Sequence, residues 1–397
     1  MTAPSSRPPD GREPQLSDVV SGFVLAPSLQ FASQEAKDGP SRSRIESSGA
    51  GWPGRSLISS HPIILRDLPP NADSPPTQTQ LSRLYRSLTQ RDLAILQALY
   101  DYRYLNTLQV KELFFPSIRS CQMRLQALRN HGLIYRWLLI ETPGVRRRHS
   151  LILISQRGAR VLANLHGDEP RTYVERSHDA RDHCWHAIHD LEANQFFVRV
   201  ASEGREHPEQ GLLVWFGEEH VRAERRRAAQ EDKRPIPTPD GTGIYLVAGA
   251  RIIFDLEWDR ATESLDRVRE KIRSYVGYFE HYREAEQHHV LFVVPSHHRE
   301  AKLQQSIWRQ RPRFRSDSCC RFWTTTLGRL RESGPLAAIW LPVEIRNAEP
   351  PSRQDTRLRT RIALNQLTPV QLDEGPIDDC IGKPAWWERR PGGGQAA

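Results

Sequence analysis

From Leu88 onward, apolar positions recur first at helical and then at strand spacing. Thr89 is placed to cap a helix whose inner face carries Leu93, Leu96 and Leu99. A turn through Tyr104 and Leu105 leads to a short helix over residues 108–113, which Pro116 ends. A third helix over residues 117–130 turns Cys121, Leu125 and Leu128 inward, and His131-Gly132 closes it, because glycine readily takes the left-handed conformation past a helix end. Two β-prone runs, 133–140 and 150–154, flank a segment containing Arg146, Arg147 and Arg148, and a further helix is expected near 156–165. Three helices followed by a hairpin with a basic tip predict a winged helix-turn-helix.

Residues 171–343 follow a different pattern. A long helix is expected over 182–200, then strands at 212–216, 244–248 and 251–258. Thr262 is placed to cap another long helix with the stripe Leu265, Val268, Ile272, Tyr275 or Val276, Phe279 and Tyr282. The uninterrupted apolar run at 290–294 predicts a strand buried on both faces, followed by a helix near 299–309 and candidate strands at 321–325 and 337–341. This is the order of an α/β domain. The Arg/Glu-rich run 220–233 is expected to form a charged helix or excursion with a solvated face between the first two strands.

Composition sets the ends apart. Hydrophobic residues make up 38% of 397, and many of the 29 prolines fall towards the two ends of the chain. The expected organisation is therefore a disordered or loosely attached segment over 1–84, a DNA-binding domain over 85–168, an α/β domain over 171–345, and a disordered tail over 346–397. Within the first segment, residues 63–65 are expected to dock as a short strand. No run approaches the ~20 apolar residues of a membrane span, and the first residues have no signal-type apolar core. Five cysteines without C-x-x-C spacing argue against a disulfide framework or zinc ribbon. A cytoplasmic, reduced location is expected.

Charge narrows the function. The segment from Thr89 to Leu165 holds 12 Lys or Arg against 4 Asp or Glu, an excess equal to the net charge of +8 for the whole chain. Such a basic module is the electrostatic footprint of nucleic-acid binding, so double-stranded DNA is the expected partner, with a homodimer as a further option. On the third helix, Arg119, Ser120, Gln122, Met123 and Gln126 lie opposite the core positions. Arg pairs bidentately with guanine and Gln with adenine. Arg124 and Arg129, with Arg146, Arg147 and Arg148 on the wing, suit phosphates or the minor groove.

The second constellation is acidic. On a strand over 251–258, Phe254, Leu256 and Trp258 share one face, while Asp255, Glu257 and the following Asp259 share the other. Carboxylates in line on a buried strand require neutralisation, either by arginines such as Arg251 and Arg260 or by a divalent cation. Asp240, in Pro239-Asp240-Gly241, is placed to join them. Glu192 is a weaker third candidate. His183, His186 and His189 recur every three residues, but no His-Glu-x-x-His motif is present, and they are read as packing or surface histidines. The chain has no G-x-x-x-x-G-K-[ST] loop, so an ATP-driven motor is not supported.

A strand-borne Pro-Asp followed by an acidic strand and a helix resembles the PD-(D/E)XK nuclease superfamily. The wider arrangement resembles the bacterial replication-relaxation family. It is carried by Gly132-Leu133-Ile134, the helix with His186, His189, Leu191 and Asn194, Pro239-Asp240, Leu256-Glu257-Trp258-Asp259-Arg260, Thr262-Glu263-Ser264, and Lys271 before Tyr275, over about residues 88–300. The resemblance implies a winged helix-turn-helix followed by a restriction-endonuclease-like α/β domain, acting on DNA in replication or mobilisation of plasmids and related elements. It implies Asp240 and Glu257 as ligands of Mg²⁺ or Mn²⁺, with Asp240, Glu257 and Lys271 as the catalytic set. The nuclease pattern asks for lysine two residues after the second carboxylate, and Asp259 stands there. Lys271 is the substitute on offer, so the nuclease-like domain is expected to cleave slowly or not at all. The alternatives are an active Mg²⁺-dependent endonuclease, and a transcriptional regulator whose α/β domain dimerises or binds a ligand.

Overall fold

The computed structural model describes residues 63–66, 68–140, 148–182, 184–207, 209–228, 235–261, 264–282, 288–310, 320–343, 359–368 and 370–371. The fold is mixed α+β, and no described helix is long and apolar enough to cross a membrane.

The first block is built on capped helices. Helix α1 (Gln78–Ser87) starts at a reciprocal cap, in which the Thr77 hydroxyl accepts from the Gln80 N–H and Gln80 Oε1 accepts from the Thr77 N–H. Thr89 caps α2 (Gln90–Tyr102) as expected, and Asn106 and Ser117 cap α3 (Thr107–Phe114) and α4 (Ile118–Asn130). Ile95, Leu96, Leu99, Val110, Leu113, Cys121, Leu125 and Leu128 are fully buried between these helices, with Ile95 taking the place expected of half-buried Leu93. Gly132 turns the chain at φ +70, where a Cβ would lie 2.7 Å from the Pro70 carbonyl oxygen. Strands β2 (Ile134–Ile140) and β3 (Arg148–Ile154) pair antiparallel, and β1 (Ile63–Leu65) adds to the free edge of β2. Helix α5 (Gln156–His166) and helix α6 (Pro170–Asp182) complete the block.

The second block is a mixed sheet in the order β4 (Gln210–Gly217), β5 (Gly241–Val247), β6 (Ala250–Trp258), β7 (His288–Val294), β8 (Cys320–Thr326) and β9 (Leu341–Pro342). The first three strands run antiparallel, while β6, β7 and β8 are parallel. The parallel strands are joined through α9 (Leu265–Tyr282) and α10 (His297–Arg309), which cover one face and share a core with Val290, Phe292 and Phe322. Helix α7 (Ala187–Gly204) covers the other face, with Phe196 and Phe197 packed beside Phe254. Helix α8 (Glu218–Ala228) lies between β4 and β5, and α11 (Leu327–Ser333) follows β8. The cap of α9 falls at Ser264, which accepts from the Arg267 N–H, and Thr262 lies outside the described residues.

Helix α7 also grips the first block. The Asn194 amide donates to the carbonyls of Tyr102 (3.1 Å) and Tyr104 (2.8 Å), and Arg205 donates to those of Glu112 and Leu113 (both 3.0 Å). Tyr102 stacks on Trp215 of β4 with ring centroids 3.5 Å apart. One apolar cluster therefore runs from Leu81 through Phe197 to Leu291.

Two corrections concern the ends. The 1–84 segment is expected to be loose, yet α1 begins at Gln78, because Leu81 and Leu84 give an otherwise polar stretch one buried stripe. The 346–397 tail contains an ordered piece. Leu364 and Leu367 are fully buried, and Arg361 forms an ion pair with fully buried Glu300 at 2.9 Å. Strand β10 (Val370–Gln371) pairs with β6. A few apolar residues and one arginine tie down a segment whose average composition is polar. Residues 1–62 and 372–397 lie outside the described residues.

Candidate functional site

Alternation along β6 separates its residues as the period-two pattern dictates. Phe254, Leu256 and Trp258 face the α7 side, and Asp255 and Glu257 face the α9 side. Asp255 is fully buried. It accepts from Arg225 Nη2 and from the Thr242 hydroxyl, each at 2.6 Å, with His288 Nε2 at 3.2 Å. Burial pushes its carboxyl up, but the positive charge of Arg225 and the His288 and Thr242 contacts hold it well below the ordinary carboxylate range. Arg225 comes from the charged run expected to form a solvated face, yet it is buried and also donates to the Pro237 carbonyl at 3.1 Å. It thereby fixes the approach to Asp240.

Asp240 follows that approach. Its N–H donates to the Leu256 carbonyl at 2.9 Å, and continuing the Gly241–Leu256 register places Asp240 opposite Glu257. One carboxylate oxygen accepts from the Trp258 N–H at 2.6 Å, and the other meets His189 Nε2 at 2.8 Å. Glu257 is 2% exposed. Its two oxygens are held by Lys271 Nζ at 2.9 Å and the Tyr275 hydroxyl at 2.8 Å, from residues one turn apart on α9. The structure therefore brings Asp240, Glu257 and Lys271 together, through strand register and a single helix turn.

The protonation states differ sharply. Burial pushes Asp240 up, but the hydrogen bond and charge of His189, with Lys271 and the Trp258 N–H, bring it below its ordinary value. Burial and the neighbouring Asp240 charge raise Glu257 to about 7 against the pull of Lys271. His189 rises to about 9, since the Asp240 contact outweighs its burial. Asp190 rises to about 7 and Glu218 also rises, both because of burial. His189, Asp190, Glu218 and Asp240, with Arg103 and Glu219, line a cavity of about 20 Å³, room for a single water.

His189 is the residue that sequence reading missed, having assigned it to packing or the surface. Its partner lies 51 positions away, so the three-residue histidine spacing held no signal for it. Glu192 instead accepts from Trp258 Nε1 at 3.1 Å and lies 3.3 Å from Arg260. Asp259, at the lysine position of the nuclease pattern, pairs with Arg299 at 2.6 Å. Among the described residues no group of three or more His, Cys, Asp or Glu is arranged to hold a metal ion. Two facing carboxylates are the chemistry Mg²⁺ takes, but all four oxygens of Asp240 and Glu257 already have protein partners. An ion there would share these oxygens with their protein donors and would meet the positive charge of Lys271.

A second surface lies on α4. Arg119, Gln122, Met123 and Gln126 are exposed on the side opposite buried Cys121, Leu125 and Leu128. Gln126 donates to the Asn130 side chain at 2.9 Å. Ser120 is committed to the helix start, with its hydroxyl bonded to the Ser117 carbonyl and side chain. Arg124, expected at a phosphate, instead donates through Nε and Nη2 to fully buried Asp92 and pins α4 to α2. An open groove of about 420 Å³ beside α4 is lined by Arg66, Gln126, Arg129, Arg136 and Trp137. Arg146 and Arg147 lie outside the described residues, and Arg148 is described only as the backbone start of β3.

Compared with known proteins, residues 96–294 match the replication-relaxation family. No curated protein and no solved structure matches the chain at a significant level.

Proposed function

Since this chain belongs to the replication-relaxation family, we propose that it serves replication control of plasmids or related mobile elements by binding double-stranded DNA. In this reading, residues 85–168 form a winged helix-turn-helix with α4 in the major groove, and residues 171–345 form a nuclease-like domain. Arg119, Gln122 and Gln126 face base edges. Arg129 and Arg136, with Arg146, Arg147 and Arg148 on the wing, neutralise phosphates. The observation that supports this best is the exposed polar face of α4 beside an arginine-lined groove.

Binding of the full chain to duplex DNA is expected to weaken steeply with salt. Changing Arg129 and Arg136 together to Ala should lower the slope of log affinity against log salt by about two units, on all sequences alike. Changing Arg119 or Gln122 should alter preference between sequences. Salt-insensitive binding would overturn the reading.

The convergence of Asp240, Glu257 and Lys271 supports a second reading, a Mg²⁺- or Mn²⁺-dependent endonuclease. The two carboxylates would hold the ion, which supplies Lewis-acid chemistry at a phosphate, while Lys271 would orient water. A bound ion stabilises the fold by about 2.7 kcal/mol at a hundredfold excess over Kd. Melting should therefore rise with added Mn²⁺, and Glu257→Gln should abolish the rise. No Mn²⁺ shift, with DNA binding intact in Asp240→Asn and Glu257→Gln, would leave the carboxylates a structural role. Nicking of supercoiled plasmid that Lys271→Ala removes would establish the enzyme.

A further inference from the structure

Among the described residues four large apolar side chains are exposed, and three lie on two consecutive helices: Leu108 on α3, and Ile118 and Met123 on α4. A lone exposed apolar residue is ordinary. The surroundings of Met123, 67% exposed, are what carry an argument. At 100° per residue, Arg119, Gln122 and Gln126 form the middle of the outward face of α4, and Ile118 and Met123 flank that polar strip on opposite sides. The helix contains no Asp or Glu, and the groove beside it is lined by Arg66, Arg129 and Arg136.

This combination fits one surface better than another copy of the chain. The major groove offers acceptors to Arg, paired donors and acceptors to Gln, and a 5-methyl group wherever thymine occurs, all within a strongly anionic frame. Charge complementarity thus selects duplex DNA as the occupant. Resting on the DNA-binding reading above, we propose that Met123 and Ile118 determine specificity by packing against thymine methyl groups, on either side of the base edges met by Arg119 and Gln122. The unbranched, polarizable methionine side chain suits such a shallow apolar contact. The preferred site then carries A·T pairs under these two residues.

The test enriches duplexes from a random pool with the full chain. Each thymine of the enriched site is then replaced singly by deoxyuridine, which lacks only the 5-methyl group. One or two positions should weaken binding about fourfold, the worth of one buried methyl-sized group. Met123→Ala, folding confirmed by an unchanged melting temperature, should make one such position indifferent to the replacement, and Ile118→Ala another. Salt-dependent binding without thymine-sensitive positions, or sensitivity that survives both substitutions, overturns this inference and leaves the DNA-binding reading standing. Absence of binding to any duplex at low salt overturns both. A change in sedimentation of DNA-free protein on Met123→Ala, without altered thymine sensitivity, assigns the face to contact between copies and overturns the inference.

Discussion

Replacing Arg225 with Met is expected to destabilise the folded chain by about 3–5 kcal/mol, the typical result of removing one partner of a buried ion pair. Asp255 is fully buried and its charge has no access to water, so without the guanidinium only Thr242 and His288 remain beside it. The substitution also frees the Pro237 carbonyl and with it the approach to Asp240. Adding Asp255→Asn should recover a large part of the loss, since the uncompensated charge disappears. The Asp255 carboxyl titrates below its unfolded value, so its contribution is present above about pH 4 and fades as pH falls further. Chemical denaturation at pH 7 and at pH 3 should accordingly show a larger gap between wild type and Arg225→Met at pH 7. Equal stabilities at pH 7 would contradict the role given to this pair.

Thermal stability is expected to fall as pH rises from about 6.5 to 9, contrary to the behaviour of Asp255. Glu257 and Asp190 titrate near 7 in the folded chain against about 4 when unfolded, so their contribution is full below pH 4 and is lost as pH rises through 7. Buried Glu218 acts in the same sense. His189 rises to about 9 from an unfolded value near 6.5, so what it adds is complete below 6.5 and lost as pH passes 9. Above about pH 6.5 the folded chain therefore keeps protons that the unfolded chain releases; buried His289, lowered to about 4, gives the opposite slope only below that. Melting temperature should drop by several degrees between about pH 6.5 and 9. Glu257→Gln should flatten the lower part of the slope and His189→Gln the upper part. A melting temperature that climbs over this range would show that the cluster is not protonated as its burial dictates.

Much of this was legible where local pattern and burial coincide. Thr89 as a cap, the inner face Cys121, Leu125 and Leu128, and the apolar run of β7 all follow from spacing within a few residues. The facing of Glu257 and Asp240 needed only strand alternation and a hairpin register. What stayed hidden depends on partners far apart in sequence. Arg225 sits in a run whose composition signals a solvated helix, and only a carboxylate 30 positions later draws it inside. Arg124 has the same composition as a phosphate ligand, but Asp92 claims it from 32 positions earlier. Arg361 belongs to a polar, proline-flanked stretch, and Glu300 gives it a buried role across 61 positions. Charged residues carry no periodic signal that distinguishes a buried pair from a solvated pair.

Helix α7 makes the two halves of this chain depend on one another. Asn194 on the helix and Arg205 just past its C-terminal end are bound to main-chain carbonyls of the helical block, and Phe196 and Phe197 from the helix pack on the sheet. A recombination event that joined the helical block to an unrelated sheet would strip those carbonyls of their donors and uncover Tyr102, which now lies flat on Trp215. These two halves meet through a shared helix, so each is expected to lose stability when joined to an unrelated partner.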